Sequence, residues 1–283
     1  MDQTTTAATP GNDLLTELDA GVLVITLNRP QRLNAMTAEG ANDYTRLMLD
    51  AAVNPAVRVI VVTGAGKGFC AGADTAYLAQ LKDGQQRTEK LRPHWFTLEI
   101  PKPVIAAING ACVGFGFTLA MMCDLRIAAR SARVGAGFTR LGLPLESALA
   151  WTLVRSLGYS RAFQHLATGG LQSGDPLLHS GLVNEVVEDA QLLPRAMELA
   201  HEMAYNCSPT SLAMLKRQLL RAADSSLADA ERLGDGLVKV ATAGSDFREA
   251  IAAKREGRIA AFSPLPDESI WWPSDVEDGA SNA

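Results

Sequence analysis

The sequence contains few aromatic residues, few cysteines and no long run of charge of one sign. Aromatic residues make up 6% and charged residues 20% of the 283 residues, and the formal net charge at pH 7 is −5. Lys and Arg stand at most two in succession. This pattern argues against an extended nucleic-acid footprint and against a polybasic membrane anchor. We therefore expect neither nucleic acid nor a membrane surface as a partner.

The four cysteines and the four histidines are scattered along the chain, without a C-x-x-C pair or other ligand-like spacing. This spacing argues against a disulfide framework or a zinc site and is typical of reduced thiols in a cytoplasmic protein. We therefore expect a cytoplasmic protein without a bound metal. The residues concerned are Cys70, Cys112, Cys123, Cys207, His94, His165, His179 and His201.

Targeting and membrane-spanning segments are also missing. Residues 1–13 have neither the basic start nor the apolar centre of a signal peptide, and we expect them to be disordered. Residues 103–123 form a run of 21 residues without charge, which is long enough to cross a bilayer. Asn109 and three glycines interrupt this run, and Asp124 follows it directly. We therefore predict a buried strand, turn and helix there, and no membrane span.

Common cofactor motifs are incomplete. The glycine-rich residues 64–68 lack the spacing of a phosphate loop and the hydroxyl that holds Mg²⁺. Residues 114–116 are only a fragment of a dinucleotide fingerprint, because Leu119 occupies the third glycine position. A G-x-S-x-G nucleophile motif is absent as well. We therefore expect no separate cofactor.

The hydrophobic pattern divides the chain into an α/β part and a helical part. From Asp189 onward the pattern is helical, with helices expected near 209–222, 225–242 and 245–258. Strands that alternate with helices before that point predict an α/β architecture with crossover connections. The predicted strands are 14–18, 22–27, 57–62, 104–108, 125–128 and 182–187.

These patterns divide the chain into the N-terminus 1–13, a core at 14–190, a helical region at 191–262 and a tail at 263–283. The tail holds five acidic residues, no base and three prolines, which is typical of a solvated segment. Its pair Trp271-Trp272 offers an alternative, in which the tail docks on a neighbouring subunit.

Three segments carry the strongest functional signal: residues 67–74, 105–128 and 140–146. The first two place small residues at strand-to-helix turns, where backbone N–H groups are open. Two such donors that converge would stabilise an oxyanion, aided by the helix dipole. Taken singly, each glycine loop is equally well explained as a tight turn.

Together these segments resemble the crotonase superfamily, also called the enoyl-CoA hydratase/isomerase family. The resemblance extends over residues 15–262 and includes the motifs LNRP at 27–30, KPV at 102–104, GLVN at 181–184 and DFRE at 246–249. It implies an α/β, crotonase-like spiral of ββα turns with a helical C-terminal region that drives trimerisation. It also implies an acyl-CoA substrate, whose coenzyme A is no separate cofactor, and a homotrimer or hexamer.

The resemblance also implies the binding residues. The oxyanion donors would be the backbone N–H groups of Ala73 and Phe115. Most relatives have glycine at the position of Phe115, so we expect its ring to reshape the acyl pocket and to leave the N–H in place. Lys67 is explained equally well as a solvated lysine, and Asp74 as a structural carboxylate. The residues implied to lie along coenzyme A and the substrate are Arg32, Leu33, Ala35, Lys67, Ala71, Gly72, Asp74, Thr75, Ala76 and Gly114.

The carboxylates depart from the hydratase pattern. Hydratases of this family use two glutamates, and the matching positions here are Thr118 and Phe138, neither of which can titrate near neutral pH. Glu146 stands where the family's enoyl-CoA isomerases carry their single glutamate, although it is equally well placed to cap the next helix. Ser147-Ala148 replaces the glycine pair that usually follows.

Three functions are compatible with this pattern. An enoyl-CoA isomerase would use Glu146 as its base. An enoyl-CoA hydratase or another crotonase-type lyase would need an acid or base from elsewhere in the chain. A non-catalytic acyl-CoA-binding or scaffold protein would need neither. The substitutions at Thr118 and Phe138 favour the first or the third.

Overall fold

The computed structural model describes residues 5–8, 13–74 and 91–272. Its strands form a seven-stranded sheet in the order β1-β2-β3-β4-β6-β8-β10 and a three-stranded sheet in the order β5-β7-β9. The strands are β1 (Thr5–Ala8), β2 (Leu14–Asp19), β3 (Val22–Leu27), β4 (Val59–Gly64), β5 (Gly68–Cys70), β6 (Val104–Ile108), β7 (Ala111–Val113), β8 (Leu125–Ala129), β9 (Arg133–Gly135) and β10 (Glu185–Val187).

The large sheet combines an antiparallel edge with a parallel centre. Strands β1, β2 and β3 pair antiparallel, whereas β3, β4, β6, β8 and β10 are parallel. The turn between β2 and β3 places Ala20 and Gly21 at positive φ, as a tight hairpin requires. Strands β4 and β6 are almost wholly buried, because both faces of a parallel sheet are covered. Their β-branched runs therefore predict their position correctly.

The spiral predicted from the resemblance is confirmed by the order of the strands. Strands β4, β6 and β8 belong to the large sheet. Each of them is followed along the chain by one strand of the small sheet, namely β5, β7 and β9 in turn. Each turn of the spiral thus supplies one strand to each layer. The uncharged run at 103–123 forms the predicted strand β6 and a helix, and a second short strand, β7, stands where only a turn was predicted. No helix in the described ranges is long and apolar enough to span a membrane.

The helices cover the spiral and form most of the last third of the chain. Thr37 caps the first helix as predicted, and its hydroxyl accepts a hydrogen bond from Gly40 N. The helices are α1 (Ala38–Val53), α2 (Phe115–Met121), α3 (Leu149–Leu157), α4 (Tyr159–Thr168), α5 (Asp175–Ser180), α6 (Leu192–Asn206), α7 (Pro209–Ala222), α8 (Leu227–Ala243), α9 (Ser245–Glu256) and α10 (Glu268–Trp271).

The structure differs from the sequence expectation at both ends. Thr5–Ala8 form a strand that pairs with β2, because backbone pairing at a sheet edge requires little of the side chains. Trp271 and Trp272 are buried within the same chain, against Met214 and Leu237. The start of the predicted tail is therefore packed. Residues 1–4, 9–12 and 273–283 lie outside the described residues.

Candidate active site

Two glycine-containing loops touch where β5 and β7 end. Gly72 has a φ of +117° and Gly114 a φ of +54°. Residues with a Cβ rarely adopt a positive φ. A Cβ on Gly72 would lie 3.3 Å from Val113 O and 3.9 Å from Phe115 N. A Cβ on Gly114 would lie 3.8 Å from the Cα of Gly72. The structure therefore brings the two predicted loops together backbone to backbone.

The N–H groups of Ala73 and Phe115 are free of acceptors within the described residues. Met36 N donates to Gly72 O at 2.8 Å, and Asp74 N donates to Met36 O at 2.9 Å. Because Met36 and Ala73 form a parallel bridge, these bonds use the flanking peptides and leave the N–H of Ala73 pointing away from Met36. Phe115 is the first residue of α2, so its N–H has no intrahelical acceptor. Two open donors on touching loops are suited to bind an oxyanion.

The loop that carries Ala73 is held by an ion pair. Arg29 Nη1 lies 3.1 Å from Asp74 Oδ2, and the carboxylate is almost fully buried. The same nitrogen donates to Ala35 O at 2.6 Å. Ala71 N donates to Leu33 O at 2.9 Å. Asp74 therefore acts as a structural carboxylate here, and its partner is a guanidinium.

Asn34 belongs to the family-like motif Leu33-Asn34-Ala35, but no role is predicted for it from the sequence. Its Nδ2 donates to Ala65 O at 2.9 Å and to Gly68 O at 2.6 Å, and its Oδ1 accepts from Arg29 N at 2.8 Å. It is buried and has a φ of +58°, a left-handed conformation that asparagine tolerates better than most residues. Its place directly after the turn that begins at Pro30 is the signal that could have identified it.

Glu146 lies beside the helix that begins with Phe115. The hydroxyl of Thr118 is 3.2 Å from Glu146 Oε1 and 3.3 Å from Gly114 O. Thr118 is fully buried, whereas Glu146 is half-buried. Ser147 has a φ of +55°, a strained conformation that is common at functional sites. The hydroxyl of Thr118, at a position that the resemblance assigns to a hydratase glutamate, therefore contacts the predicted base.

Phe138, at the other position that the resemblance assigns to a hydratase glutamate, is a buried residue that supplies no acid. It begins a short 3-10 turn, Phe138–Leu141, directly after Gly137, which has a φ of +69°. Its carbonyl oxygen accepts a hydrogen bond from Leu143 N at 3.0 Å. The side chain is buried within the main core. Its contribution is to the packing and shape of the segment that leads to Glu146.

A cavity of about 420 Å³ lies next to Glu146 and is a candidate acyl pocket. It is lined by Pro93, His94 and Trp95 on one side and by Ser147 and Ala148 on the other. The ring of His94 meets that of Phe115 edge-on, with centroids 4.6 Å apart and an angle of 78° between the planes. In the sequence His94 is isolated and Trp95 has no predicted role, because nothing in their spacing links this segment to residue 115 or 147.

The residues expected to lie along coenzyme A are only partly brought together. Leu33 and Ala35 flank Asn34 beside the loop that carries Ala71 and Gly72. Arg32 and Lys67 are exposed, and neither forms an ion pair within the described ranges. They are therefore open to an anionic ligand. Thr75 and Ala76 lie outside the described residues.

The thiols of Cys70 and Cys123 are buried. Burial raises the pKa of Cys70 to about 11 and that of Cys123 to about 12, so both thiols stay protonated and unreactive near neutral pH. All four cysteines are free. Among the described residues, no group of three or more His, Cys, Asp or Glu side chains is placed to hold a metal ion.

Comparison with known proteins identifies the family. The family model described as enoyl-CoA hydratase/isomerase matches residues 17–263. A probable enoyl-CoA hydratase of Mycobacterium bovis is 34% identical over 254 residues, which are 84% of this chain and 88% of that protein. The 1,2-epoxyphenylacetyl-CoA isomerase of Escherichia coli is 32% identical over 258 residues, 88% of this chain and 98% of that one. The crystal structure of an enoyl-CoA hydratase from Bacillus anthracis has a TM-score of 0.82 at 28% identity and covers 89% of this chain and 99% of that one. The chain therefore belongs to the enoyl-CoA hydratase/isomerase family.

Proposed function

We propose that the protein catalyses a 1,3-proton shift that converts a 3-enoyl-CoA thioester into the 2-enoyl isomer, with Glu146 as the base. The observation that carries this proposal is the contact between Glu146 and Thr118, at 3.2 Å. Thr118 lies on α2, whose first residue, Phe115, offers an open N–H. The base and one of the two oxyanion donors, the N–H of Phe115, are thus supported by one helix start.

The shift needs one base and one oxyanion site. Glu146 removes a proton from C2, and the electrons of the broken C–H bond pass into a dienolate whose charge lies on the thioester oxygen. The N–H groups of Ala73 and Phe115 stabilise that charge. Glu146 then returns the proton to C4, the double bond moves into conjugation, and the carboxylate is restored.

Hydration fits the site less well. It requires a water to be activated on one carbon and a proton to be delivered to the other, for which a second acid or base is needed. Thr118 and Phe138 occupy the positions of the two hydratase glutamates, and neither titrates near neutral pH. The carboxylate of Glu146, with no acid at positions 118 and 138, therefore supports isomerisation over hydration.

The substrate we propose is an acyl-CoA thioester. The exposed cations Arg32 and Lys67 lie on the two turns beside the oxyanion loop and would bind the phosphates of coenzyme A. The cavity beside Glu146 would hold the acyl chain. In this arrangement coenzyme A enters with the substrate and leaves with the product, so the reaction consumes no cofactor.

We further propose a homotrimer, or a hexamer of two trimers. Several large apolar side chains on the C-terminal helices are exposed in the single chain, which is typical of a surface that is buried in an oligomer. Light scattering coupled to size exclusion would give the subunit number, and a monomer at micromolar concentration would contradict the proposal. The exposed residues include Leu215, Leu219, Val238, Phe247 and Ile251.

The test offers the purified protein trans-3-hexenoyl-CoA and follows the ultraviolet absorption of the conjugated 2-enoyl thioester. We expect isomerisation by the natural protein and a loss in kcat of about 10²–10⁴-fold for Glu146→Gln. Glu231→Gln is the matched control, because Glu231 is an exposed glutamate on α8. It should leave the rate unchanged.

Three outcomes would contradict the proposal. Undiminished isomerisation by Glu146→Gln would exclude Glu146 as the base. Rapid hydration of trans-2-hexenoyl-CoA by the natural protein would favour the hydratase. Saturable binding of both thioesters without turnover would favour an acyl-CoA-binding or scaffold protein.

A further inference from the structure

We infer that Thr118 couples the protonation of Glu146 to the strength of the oxyanion donor at Phe115. This inference rests on the proposed function, because it describes how the same base and oxyanion site act together. Thr118 is thus a positioning residue, which acts through its neighbours and does not touch the reacting atoms.

The hydroxyl of Thr118 has one hydrogen and two acceptors. Glu146 Oε1 lies 3.2 Å from Thr118 Oγ1, and Gly114 O lies 3.3 Å from it. Both distances exceed the ~2.7–2.8 Å that is usual for a hydroxyl donor. Such lengths are expected when one hydrogen is shared between two acceptors. The share that each acceptor receives depends on its negative charge.

The second acceptor belongs to the oxyanion site. The C=O of Gly114 and the N–H of Phe115 are the two ends of one peptide group, so a stronger bond to the oxygen makes the nitrogen a better donor. Gly114 O already accepts the helical bond from Thr118 N at 2.9 Å. A donated hydroxyl hydrogen adds to this polarisation. The peptide that holds the enolate is therefore in direct contact with Thr118.

Protonation of Glu146 changes the division of this hydrogen. In the resting enzyme the carboxylate is the stronger acceptor and draws the hydroxyl hydrogen towards Oε1. When Glu146 takes the C2 proton it becomes neutral, and its oxygen is a weaker acceptor. The hydrogen of Thr118 then moves towards Gly114 O. The N–H of Phe115 is strengthened at the stage when negative charge has reached the thioester oxygen.

The burial of Thr118 makes this coupling effective. Its side chain is fully buried on α2, so water does not compete for the hydroxyl. In such an environment hydrogen bonds polarise one another by about 10–30% per bond. The return of the proton to C4 restores the carboxylate, and the hydrogen of Thr118 returns to it. The hydrogen bonds of Thr118 thus return to their starting arrangement after each turnover.

The kinetic test compares Thr118→Val, which keeps the shape and removes the hydroxyl, with Thr118→Ser, which keeps the hydroxyl. We expect Thr118→Val to lower kcat for trans-3-hexenoyl-CoA about 3- to 10-fold with little change in KM. Thr118→Ser should restore most of the rate. Thr45→Val is the matched control, because buried Thr45 on α1 makes the same type of bond to Ala41 O at 2.8 Å. It should leave kcat unchanged.

The spectroscopic test does not depend on turnover. A bound conjugated thioester, 3-phenylpropenoyl-CoA, absorbs at longer wavelength as its carbonyl is polarised by the oxyanion donors. Glu146→Gln carries a neutral side chain and so imitates the protonated base. The red shift should be larger in Glu146→Gln than in the natural protein. Much of this increase should disappear in the double variant that also carries Thr118→Val, compared with Thr118→Val alone.

The outcomes separate this inference from the proposed function. An equal increase in red shift with and without the Thr118 hydroxyl would overturn the coupling, even if Glu146 is the base. A Thr118→Ser variant as slow as Thr118→Val would also overturn it. Retained isomerisation by Glu146→Gln would instead overturn the proposed function. A hydroxyl-dependent increase in red shift would then still support the contact between Thr118 and the peptide.

Discussion

The guanidinium of Arg29 lies 3.1 Å from the Oδ2 of Asp74 and ties the loop of the candidate oxyanion donor Ala73 to the segment after β3. Both side chains are largely shielded from water, and the same Arg29 donates to Ala35 O at 2.6 Å. The pair therefore holds two segments that lie far apart in the sequence. A change at this pair should affect both stability and the position of the Ala73 amide.

We expect Asp74→Asn to lower the free energy of unfolding by about 1–3 kcal/mol, because it leaves the guanidinium of Arg29 with a weaker partner. It should also lower kcat, since the Ala73 amide is no longer held. Urea unfolding and the isomerase assay measure the two effects. Asp13→Asn is the control: Asp13 is more exposed and lies 3.5 Å from Arg29, so its loss should cost less than about 1 kcal/mol. Equal losses in the two variants would contradict this assignment.

The ring of Phe115 should determine which acyl chains fit. Phe115→Leu keeps the backbone N–H and opens space beside His94, so we expect kcat/KM for a branched 3-enoyl-CoA to rise about 10-fold relative to a straight one. Phe117→Leu removes a similar buried ring from the same helix, but Phe117 makes no ring contact with the cavity-lining His94 such as Phe115 makes within the described residues. It should reduce stability and leave the ratio unchanged. An unchanged ratio in Phe115→Leu would show that its ring does not line the acyl site.

Trp272 should stabilise the small second core. It is buried beside Leu237, and Arg217 lies over its ring at 4.6 Å. We expect Trp272→Ala to lower the free energy of unfolding by about 3–5 kcal/mol, whereas Ile270→Ala, at an exposed neighbour, should cost less than about 0.5 kcal/mol. Trp272→Phe should retain most of the stability, because the indole N–H has no acceptor among the described residues. Unfolding in guanidinium chloride gives the free energy of unfolding of all three variants. Equal values for Trp272→Ala and Ile270→Ala would show that Trp272 does not stabilise the second core.

Lys102 should make stability depend on pH. Burial lowers its pKa from 10.5 to about 8, and its Nζ donates to Ala51 O at 2.7 Å and to Asn54 O at 2.6 Å. The unfolded chain binds this proton more tightly, so the contribution of Lys102 to stability is least favourable below pH 8. It should improve as the pH rises from 8 towards 10.5, by at most about 1.4 kcal/mol per pH unit.

The measurement compares the natural protein with Lys102→Met in urea between pH 7 and pH 10. The difference in the free energy of unfolding should move in favour of the natural protein as the pH rises. Lys239→Met, at an exposed lysine on α8, is the control and should show no such trend. If the difference in the free energy of unfolding between the natural protein and Lys102→Met also did not change with pH, a lowered pKa of Lys102 would be excluded.

The elements that the sequence predicted well are those that depend on local pattern. The β-branched runs of β4 and β6 predict buried parallel strands, and Thr37 predicts the start of α1. Helix α7 has the predicted bounds, 209–222. Local sequence pattern did not predict β1, which forms by backbone pairing alone. It also did not predict the burial of Trp271 and Trp272, which depends on residues that are distant in the sequence.

In the candidate site, too, local sequence pattern predicts some features and distant packing decides others. The motifs at 67–74 and 105–128 predict two glycine loops, and the structure brings them into contact through Gly72 and Gly114. The cavity wall formed by His94 and Trp95 has no sequence signal, because these residues meet positions 115 and 147 only through the fold. Distances between such residues depend on strand order and crossover, which no local pattern contains.

The sequence by itself determined the family and the alternation of strands and helices, and its resemblance predicts that both hydratase glutamates are replaced. These follow from residue type and order along the chain. Only the tertiary structure decided that the Thr118 hydroxyl lies between Glu146 and the carbonyl of Gly114, and that Asp74 pairs with Arg29. The physical reason is that a hydrogen bond depends on a separation of about 3 Å. That separation is reached only when the spiral packs segments that are tens of residues apart.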